Sequence, residues 1–450
     1  MKRALLAGAV LALVVVVAAA GYGVHLVGKL NTPAFKKSIL DQAKAAAGAE
    51  VRVKEMDISL LSGVTLRGIA IANPAPFTGD FLTADAFVLR YRLRPLLAGR
   101  VEVERLALEK PQLSLAMDAR GGFNYERLGG AARGGAKAPP AGAPATAASL
   151  RIVLKQLAVE DASVVMTDHT KARLLTVEGA DFRSAFEVEG GIAQGSGEAT
   201  VATFNLADLL FVRGVETPLS ISKEAVKLAP IRGRVAGGAA TGDLTVRLKG
   251  GLRYVANLEL KGANVKTLLA EAKSAGGVSG TLAAKATFEG SGGLLTMKGH
   301  GGGTITDCRV ERGRMLALLA GILQVPELAS PDFDECRAEF TQSGYRLFTP
   351  VLSLKGPAVQ LTGRGTVNLG TSGLDYQMSL ALAPGVFAKV TRRELRPAFQ
   401  QRGDGFATID FRLYGTTLDP QTDLLSRIGK AAATEAAKSQ LNRLLKRKTF

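Results

Sequence analysis

Between Val51 and about residue 420 many short runs place apolar side chains at every second position, and no other feature constrains the fold of this chain as much. Val51, Val53, Ile58 and Leu60 sit among charged neighbours, and Leu66, Ile69 and Ile71 come next. Val101, Val103, Leu106, Leu108, Leu113, Leu115 and Met117 carry the same pattern, with Pro111 marking a break or an edge position. The alternation is unbroken at Leu252, Tyr254, Ala256, Leu258 and Leu260, at Leu282, Ala284, Ala286 and Phe288, and at Leu374, Tyr376, Met378, Leu380 and Leu382. Glycine-containing turns separate these runs, as at Gly290–Gly293 and Gly370–Gly373. Helical interruptions are predicted only at Val265–Ala275, behind the cap residue Asn264, and at Arg312–Val325. So many one-sided strands predict a mainly β chain built on an extended antiparallel sheet, not on βαβ units.

Each alternating strand has an apolar face that must be covered, and the predicted helices are too few to cover them all. Either two sheets pack face to face, or one sheet curls and its apolar face holds something else. The pattern alone leaves both open.

The N-terminus narrows the setting. Lys2 and Arg3 precede Ala4–Gly28, a run without Asp, Glu, Lys or Arg. As a helix this run would span ~37 Å, more than the ~30 Å hydrocarbon core of a bilayer. Positive charge on the short side places that end in the cytoplasm and exports the body. A cleaved signal peptide ending near Ala18-Ala19-Ala20 is the alternative, but the apolar run continues past that point, which favours a retained anchor. The formal charge is +17. Such a charge favours anionic partners, and for an exported protein without interleaved aromatics these are lipid headgroups or lipopolysaccharide, not nucleic acid.

Between anchor and strands, Thr32-Pro33 reads as an N-cap and first helical position, with Gly48 as the C-terminal cap. Gly129–Ser149 is almost entirely Gly, Ala, Pro and Thr, and reads as a flexible linker or long loop. The tail from residue 423 is spaced for a loosely amphipathic helix. It holds seven basic residues against two acidic, a net +5. Arg443, Lys446, Arg447 and Lys448 are its candidate contacts to a membrane surface; the alternative is a helix that caps the last sheet edge.

Catalytic and metal chemistry find little support. His300-Gly301-Gly302-Gly303 matches the oxyanion loop of some esterases, but no G-x-S-x-G elbow accompanies it. In a chain with 52 glycines it reads better as a turn. His169 beside Asp168 reads as part of a surface turn. Neither nucleotide-binding glycine pattern is present, nor is any spaced set of metal ligands. No enzyme activity, cofactor or metal is expected. The two cysteines, Cys308 and Cys336, flank the Arg312–Val325 helix, and outside the cytoplasm they point to a local disulfide, two buried thiols being the alternative.

The N-terminal region resembles that of AsmA proteins. The likeness lies in Gly48-Ala49-Glu50-Val51-Arg52-Val53, Asp57-Ile58-Ser59-Leu60, Gly63-Val64-Thr65-Leu66-Arg67-Gly68 and Asn73-Pro74. It continues in Leu93-Arg94-Pro95-Leu96-Leu97-Ala98-Gly99, Lys110-Pro111 and Gly122-Phe123-Asn124-Tyr125. From about Gly299 to Asp423 the chain resembles the AsmA C-terminal region, through Leu352-Ser353-Leu354, Leu361-Thr362-Gly363-Arg364-Gly365, Leu374-Asp375-Tyr376, Gly415 and Asp419-Pro420. Such proteins look related to the bridge-like, chorein-type lipid transfer proteins, whose taco-shaped β-groove binds acyl chains. The resemblance therefore implies a bacterial inner-membrane protein with a periplasmic groove, handling phospholipid or lipopolysaccharide in outer-membrane biogenesis. It names no catalytic residue. About 20 strands at ~4.8 Å spacing give a groove of ~100 Å, short beside relatives that span the periplasm.

The expected organisation is thus an anchor over 1–28, an AsmA-like region over 29–128, a linker over 129–149, a β-groove body over 150–422 and a basic helix over 423–450. Leu252, Tyr254, Leu258, Leu260, Leu282, Phe288, Leu374, Tyr376, Met378, Leu380 and Leu382 are the candidate groove lining. The other function class left open is a non-transporting envelope scaffold that assists outer-membrane protein assembly; a closed sandwich core would favour it.

Overall fold

The computed structural model describes residues 32–59, 63–92, 95, 101–129, 152–189, 192–248, 253–274, 277–291, 296–311, 314–391, 393–417, 419–431 and 433–434. The expected anchor lies outside these residues, as do the linker beyond Gly129 and the tail contacts Arg443, Lys446, Arg447 and Lys448. Among the described residues no helix is long and apolar enough to cross a membrane. The chain is mainly β, with long antiparallel sheet and few helices, and forms two compact units, Met1–Arg234 and Val235–Phe450.

In the first unit, helix α1 (Pro33–Ala47) starts on the Thr32 carbonyl, which accepts from Lys36 N at 3.1 Å. It stops at Gly48, whose φ of 61° is the left-handed value that glycine adopts without cost. Ile39, Ala43 and Ala47, four apart, form its buried stripe. Strands β1 (Val51–Ser59), β2 (Gly63–Ala72) and β3 (Asp80–Tyr91) pair in sequence, and β4 (Val101–Glu109) joins β3. Lys110-Pro111 interrupts this fourth strand, and β5 (Gln112–Ala116) resumes it beside β3. Ile39 packs with Ile58, Val64, Leu66, Ile69, Phe87 and Leu89 in the core of this unit.

The antiparallel expectation fails at one place. Strand β6 (Ile152–Thr167) runs parallel to β4 and β5, from Val101↔Ile152 to Ala116↔Thr167. A parallel neighbour needs a return path of a dozen or more residues, and the chain between Arg127 and Ile152 is long enough to supply it. Strands β7 (Arg173–Glu189), β8 (Ile192–Leu206), β9 (Leu210–Ile221) and β10 (Ala225–Val235) then meander antiparallel.

The second unit pairs its strands in chain order, through β11 (Gly238–Arg247), β12 (Arg253–Asn264), β13 (Gly277–Gly290) and β14 (Lys298–Glu311). Next to β14 lie the short β15 (Asp332–Phe333) and β16 (Glu335–Ser343). Strands β17 (Arg346–Lys355), β18 (Val359–Asn368) and β19 (Gly373–Leu382) continue the sheet. The short β20 (Gln400–Gln401) pairs with β21 (Ala407–Thr416), which also pairs with β19 and with the short β22 (Pro420–Thr422). Helix α2 (Val265–Glu271) is capped by Asn264, whose side chain accepts from Thr267 N at 2.9 Å. It is shorter than expected, as is α3 (Arg314–Leu323).

Two other readings are corrected. His300–Gly303 is not a turn but the middle of β14, with His300 opposite Thr287 and Thr341. The stretch after β19 is not strand. Pro384 opens helix α4 (Pro384–Ala388), and a 3-10 turn at Arg393–Ala398 comes after it.

Candidate functional site

In a strand, alternate side chains share a face, so register states which residues lie together. In the second unit one row crosses nine strands: Ala240, Leu260, Ala284, Gly303, Ala338, Leu352, Gly363, Met378 and Phe411. A second row runs Leu282, Ile305, Cys336, Leu354, Leu361, Leu380 and Ile409. Toward the other strand ends, Leu244, Ala256 and Phe288 align, as do Val246 and Tyr254, and Val367 and Leu374. No charged side chain occurs in these rows. The opposite face carries Asp243, Glu259, Lys285, Arg337 and Arg412, and there Lys261 and Lys285 hold the Glu259 carboxyl below the usual carboxylate range.

The described members of the predicted lining therefore share one face, while Leu252 lies outside the described residues. Their burial divides them. Tyr254, Leu260, Leu282, Phe288, Leu374 and Tyr376 are half-buried, and Leu258 is 45% exposed. Burial pushes the Tyr254 phenol up from its ordinary value, as an apolar setting requires. None of Tyr254, Leu258, Leu260 and Phe288 belongs to a buried cluster. Met378, Leu380 and Leu382 do: Leu380 is 1% and Leu382 0% exposed. They lie within a closed core, together with Leu323, Val325, Leu328, Val386, Val390, Leu395, Phe399, Leu424 and Ile428. These nine residues come from α3 and the turn after it, from the segment after β19 and from the helix that starts at residue 424. Leu424 and Ile428, one turn apart, thus anchor the start of this helix in the core.

Cys308 and Cys336 form a disulfide inside this core, with Cα atoms 6.3 Å apart. It ties β14 to β16 beside α3, closing the loop that contains that helix.

The glycines of β14 shape the open part of the face. A Cβ on Gly299 would meet the Phe288 ring at 2.5 Å, and one on Gly301 the Phe340 ring at 2.8 Å. The two rings lie across the strand with centroids 6.2 Å apart. Glycine here lets its neighbours' rings fold down over the backbone, so the apolar surface stays low. The first unit repeats the arrangement. Phe186, Gly195, Ile221 and Val226 form one row, and Ser184, Gly197, Leu219 and Leu228 the next.

At the other end of the first unit the fully buried Asn124 gathers separate sequence pieces. Its side-chain amide donates to Asn73 Oδ1 at 2.7 Å and to the Ser114 carbonyl at 2.8 Å. Its Oδ1 accepts from Ala116 N at 3.1 Å and Tyr125 N at 3.0 Å. Gly122–Tyr125 and Asn73-Pro74, distant in sequence, form one fully bonded polar clamp. The role is structural. His169 lies in an exposed turn, where Asp168 accepts from Thr170 N at 2.8 Å and Ala172 N at 2.9 Å. Among the described residues no group of three or more His, Cys, Asp or Glu could hold a metal ion.

Sequence reasoning missed the cover over the β19 end, the segment from Pro384 to Phe399. Its signal was present: the alternation stops at Leu382, and Pro384 and Pro397 then punctuate a stretch with no two-residue period.

Compared with known families, residues 1–214 match the AsmA family. The match ends before the stretch from about Gly299 that resembles the AsmA C-terminal region. No curated protein and no solved structure matches the chain.

Proposed function

Because the chain belongs to the AsmA family, we propose that it is a cell-envelope protein that holds lipid acyl chains on its uncovered apolar sheet face. In this reading it takes part in moving phospholipid, or lipopolysaccharide, for outer-membrane biogenesis. One observation carries it: an uncharged face continuous across the strands of the second unit, and half-exposed at Val246, Tyr254, Leu260 and Phe288. Leaving such a face in water is unfavourable by ~25 cal/mol per Å² of apolar surface, and an acyl chain removes that surface without asking for hydrogen bonds. The half-buried band needs no polar partner, which suits a ligand recognised by its chain. The Ala4–Gly28 run serves as inner-membrane anchor, with the body in the periplasm and the basic tail at a second anionic surface. No catalytic step is assigned.

The test is photocrosslinking of lipid to the purified full chain, with mass spectrometry of the adduct. Phospholipid or lipopolysaccharide on peptides from β11–β14 is the expected result. Leu258→Asp should remove it while the protein stays folded. A folded wild-type protein that carries no lipid would favour the scaffold role.

A further inference from the structure

The polar face of the second unit holds a depression of about 1170 Å³ over β17, β18, β19 and β21, with the helix that starts at residue 424 contributing Arg427. Ser353, Thr362, Ser379 and Asp410 line it in one row, each opposite the next across four strands. Opposed residues stand ~4.5–5.5 Å apart at Cβ, so the three hydroxyls form a short ladder. Two residues along, Arg364, Gln377 and Arg412 form a parallel row. Ser353 is 8% exposed, and its Oγ has no hydrogen-bond partner among the described residues. This buried hydroxyl therefore has hydrogen-bonding capacity left for a group from outside the chain, whether a water or a ligand oxygen.

The charges point to its nature. Asp375 holds Arg412 through both carboxylate oxygens, at 2.7 and 2.9 Å, and Asp423 holds Arg427 at 2.7 Å. Arg346 and Arg364 line the same depression with no carboxylate partner among the described residues. With Asp375 and Asp410 as its only acids, the lining is net positive by two. Phe348 and Val351 add exposed apolar surface on this otherwise polar face.

We propose that this depression binds a phosphate-bearing polar headgroup. Arg364, two residues along β18 from Thr362, supplies the planar fork that matches an oxyanion, and Ser353, Thr362 and Ser379 supply short-range donors; Arg346, opposite Asn368 and farther along the strands, adds only to the positive field. The space far exceeds one phosphate. Asp410 at the end of the row suits the hydroxyls of a glycerol or sugar next to it, and Phe348 and Val351 suit its carbon skeleton. The inference concerns the face opposite the acyl-chain surface and stands without it.

Titration calorimetry on the full chain in non-ionic detergent tests it, with glycerophosphoglycerol, inorganic phosphate and glycerol as probes. These carry no acyl chain, so the apolar face contributes nothing. Glycerophosphoglycerol should bind and glycerol should not. Arg364→Gln should weaken binding about tenfold or more, as loss of a charge-assisted pair does. Ser353→Ala should weaken it less, and Leu258→Asp not at all. Inorganic phosphate binding as tightly as the diester would support the oxyanion site and identify free phosphate as its ligand. Arg364 is exposed, so its replacement does not threaten the fold. No binding of either phosphate compound by the folded protein, or equal binding by Arg364→Gln, would overturn the proposal.

Discussion

Strands β12 and β19 carry nearly the same sequence pattern and meet opposite fates. Tyr254, Ala256, Leu258 and Leu260 alternate as regularly as Tyr376, Met378, Leu380 and Leu382, and register puts both sets on the same face. Yet Leu258 is 45% exposed while Leu382 is wholly buried. The difference lies in the connection that leaves each strand. After β19 the chain turns at Pro384 and lays Val386, Val390, Leu395 and Phe399 into a core shared with α3 and the helix from residue 424. After β12 it makes only α2, seven residues long, before re-entering the sheet. Alternation dictates a strand and the side it presents; the connections decide whether that side is closed.

The comparison breaks most readily at Leu382. Leu382→Asp puts an unpaired charge where Val359 and Ala407, its register partners, are also fully buried. The expected loss is several kcal/mol, on the order of 5, enough to unfold the closed end. Leu258→Asp should cost about 1 kcal/mol or less, because the side chain already meets solvent. Urea unfolding monitored by circular dichroism measures both. Equal losses would mean that the open part is covered after all.

The next largest effect belongs to the disulfide, which lies only in the closed end. The cysteines are 28 residues apart. Replacing both by Ser should lower stability by roughly 3–4 kcal/mol on the chain-entropy estimate. Hydrogen exchange should localise the loss to β14, α3 and β16 and leave β11 and β12 unchanged. Uniform loss across the second unit would show that the two ends unfold as one.

Much of this layout is legible in the residues themselves, for local reasons. Asn264 before an apolar helical run, and Gly48 after one, act within a single turn, so the ends of α1 and the start of α2 can be read directly. The unbroken alternations state strand and face, for the same local reason. What depends on distant neighbours is hidden. Gly301 and Gly303 look like turn residues until β13 and β16 supply the rings and side chains that occupy their missing Cβ space. The parallel step between β5 and β6 depends on the return path through residues that carry no pattern of their own. Val386 and Phe399 are too few and too irregularly spaced to announce a lid. Ser353 and Arg364 look like any solvated strand face, and only the pairing of β17 with β18, and of β18 with β19, sets them beside Thr362 and Gln377. The apolar face itself could be read in the sequence, whereas its division into buried and half-exposed parts could not.

The smallest effect sharpens the comparison from the open side. The Asn264 side chain satisfies one of the amides that a helix start leaves without a partner, and without it α2 has little to hold its first turn. Asn264→Ala should cost about 1 kcal/mol of helix stability. Seven residues hold few internal hydrogen bonds, so that loss should appear as local fraying. Amide exchange at Thr267 and Leu268 should speed up about fivefold, the factor to which about 1 kcal/mol corresponds. The midpoint for unfolding of the second unit should stay within error, because the only buried residue of α2 is Val265 at its base. If α2 instead helped to close the apolar face, removing its cap would lower that midpoint and expose Ala263 and Leu282, its neighbours on β12 and β13, to exchange as well. The exchange pattern around one asparagine thus separates a helix that decorates an open face from one that covers it.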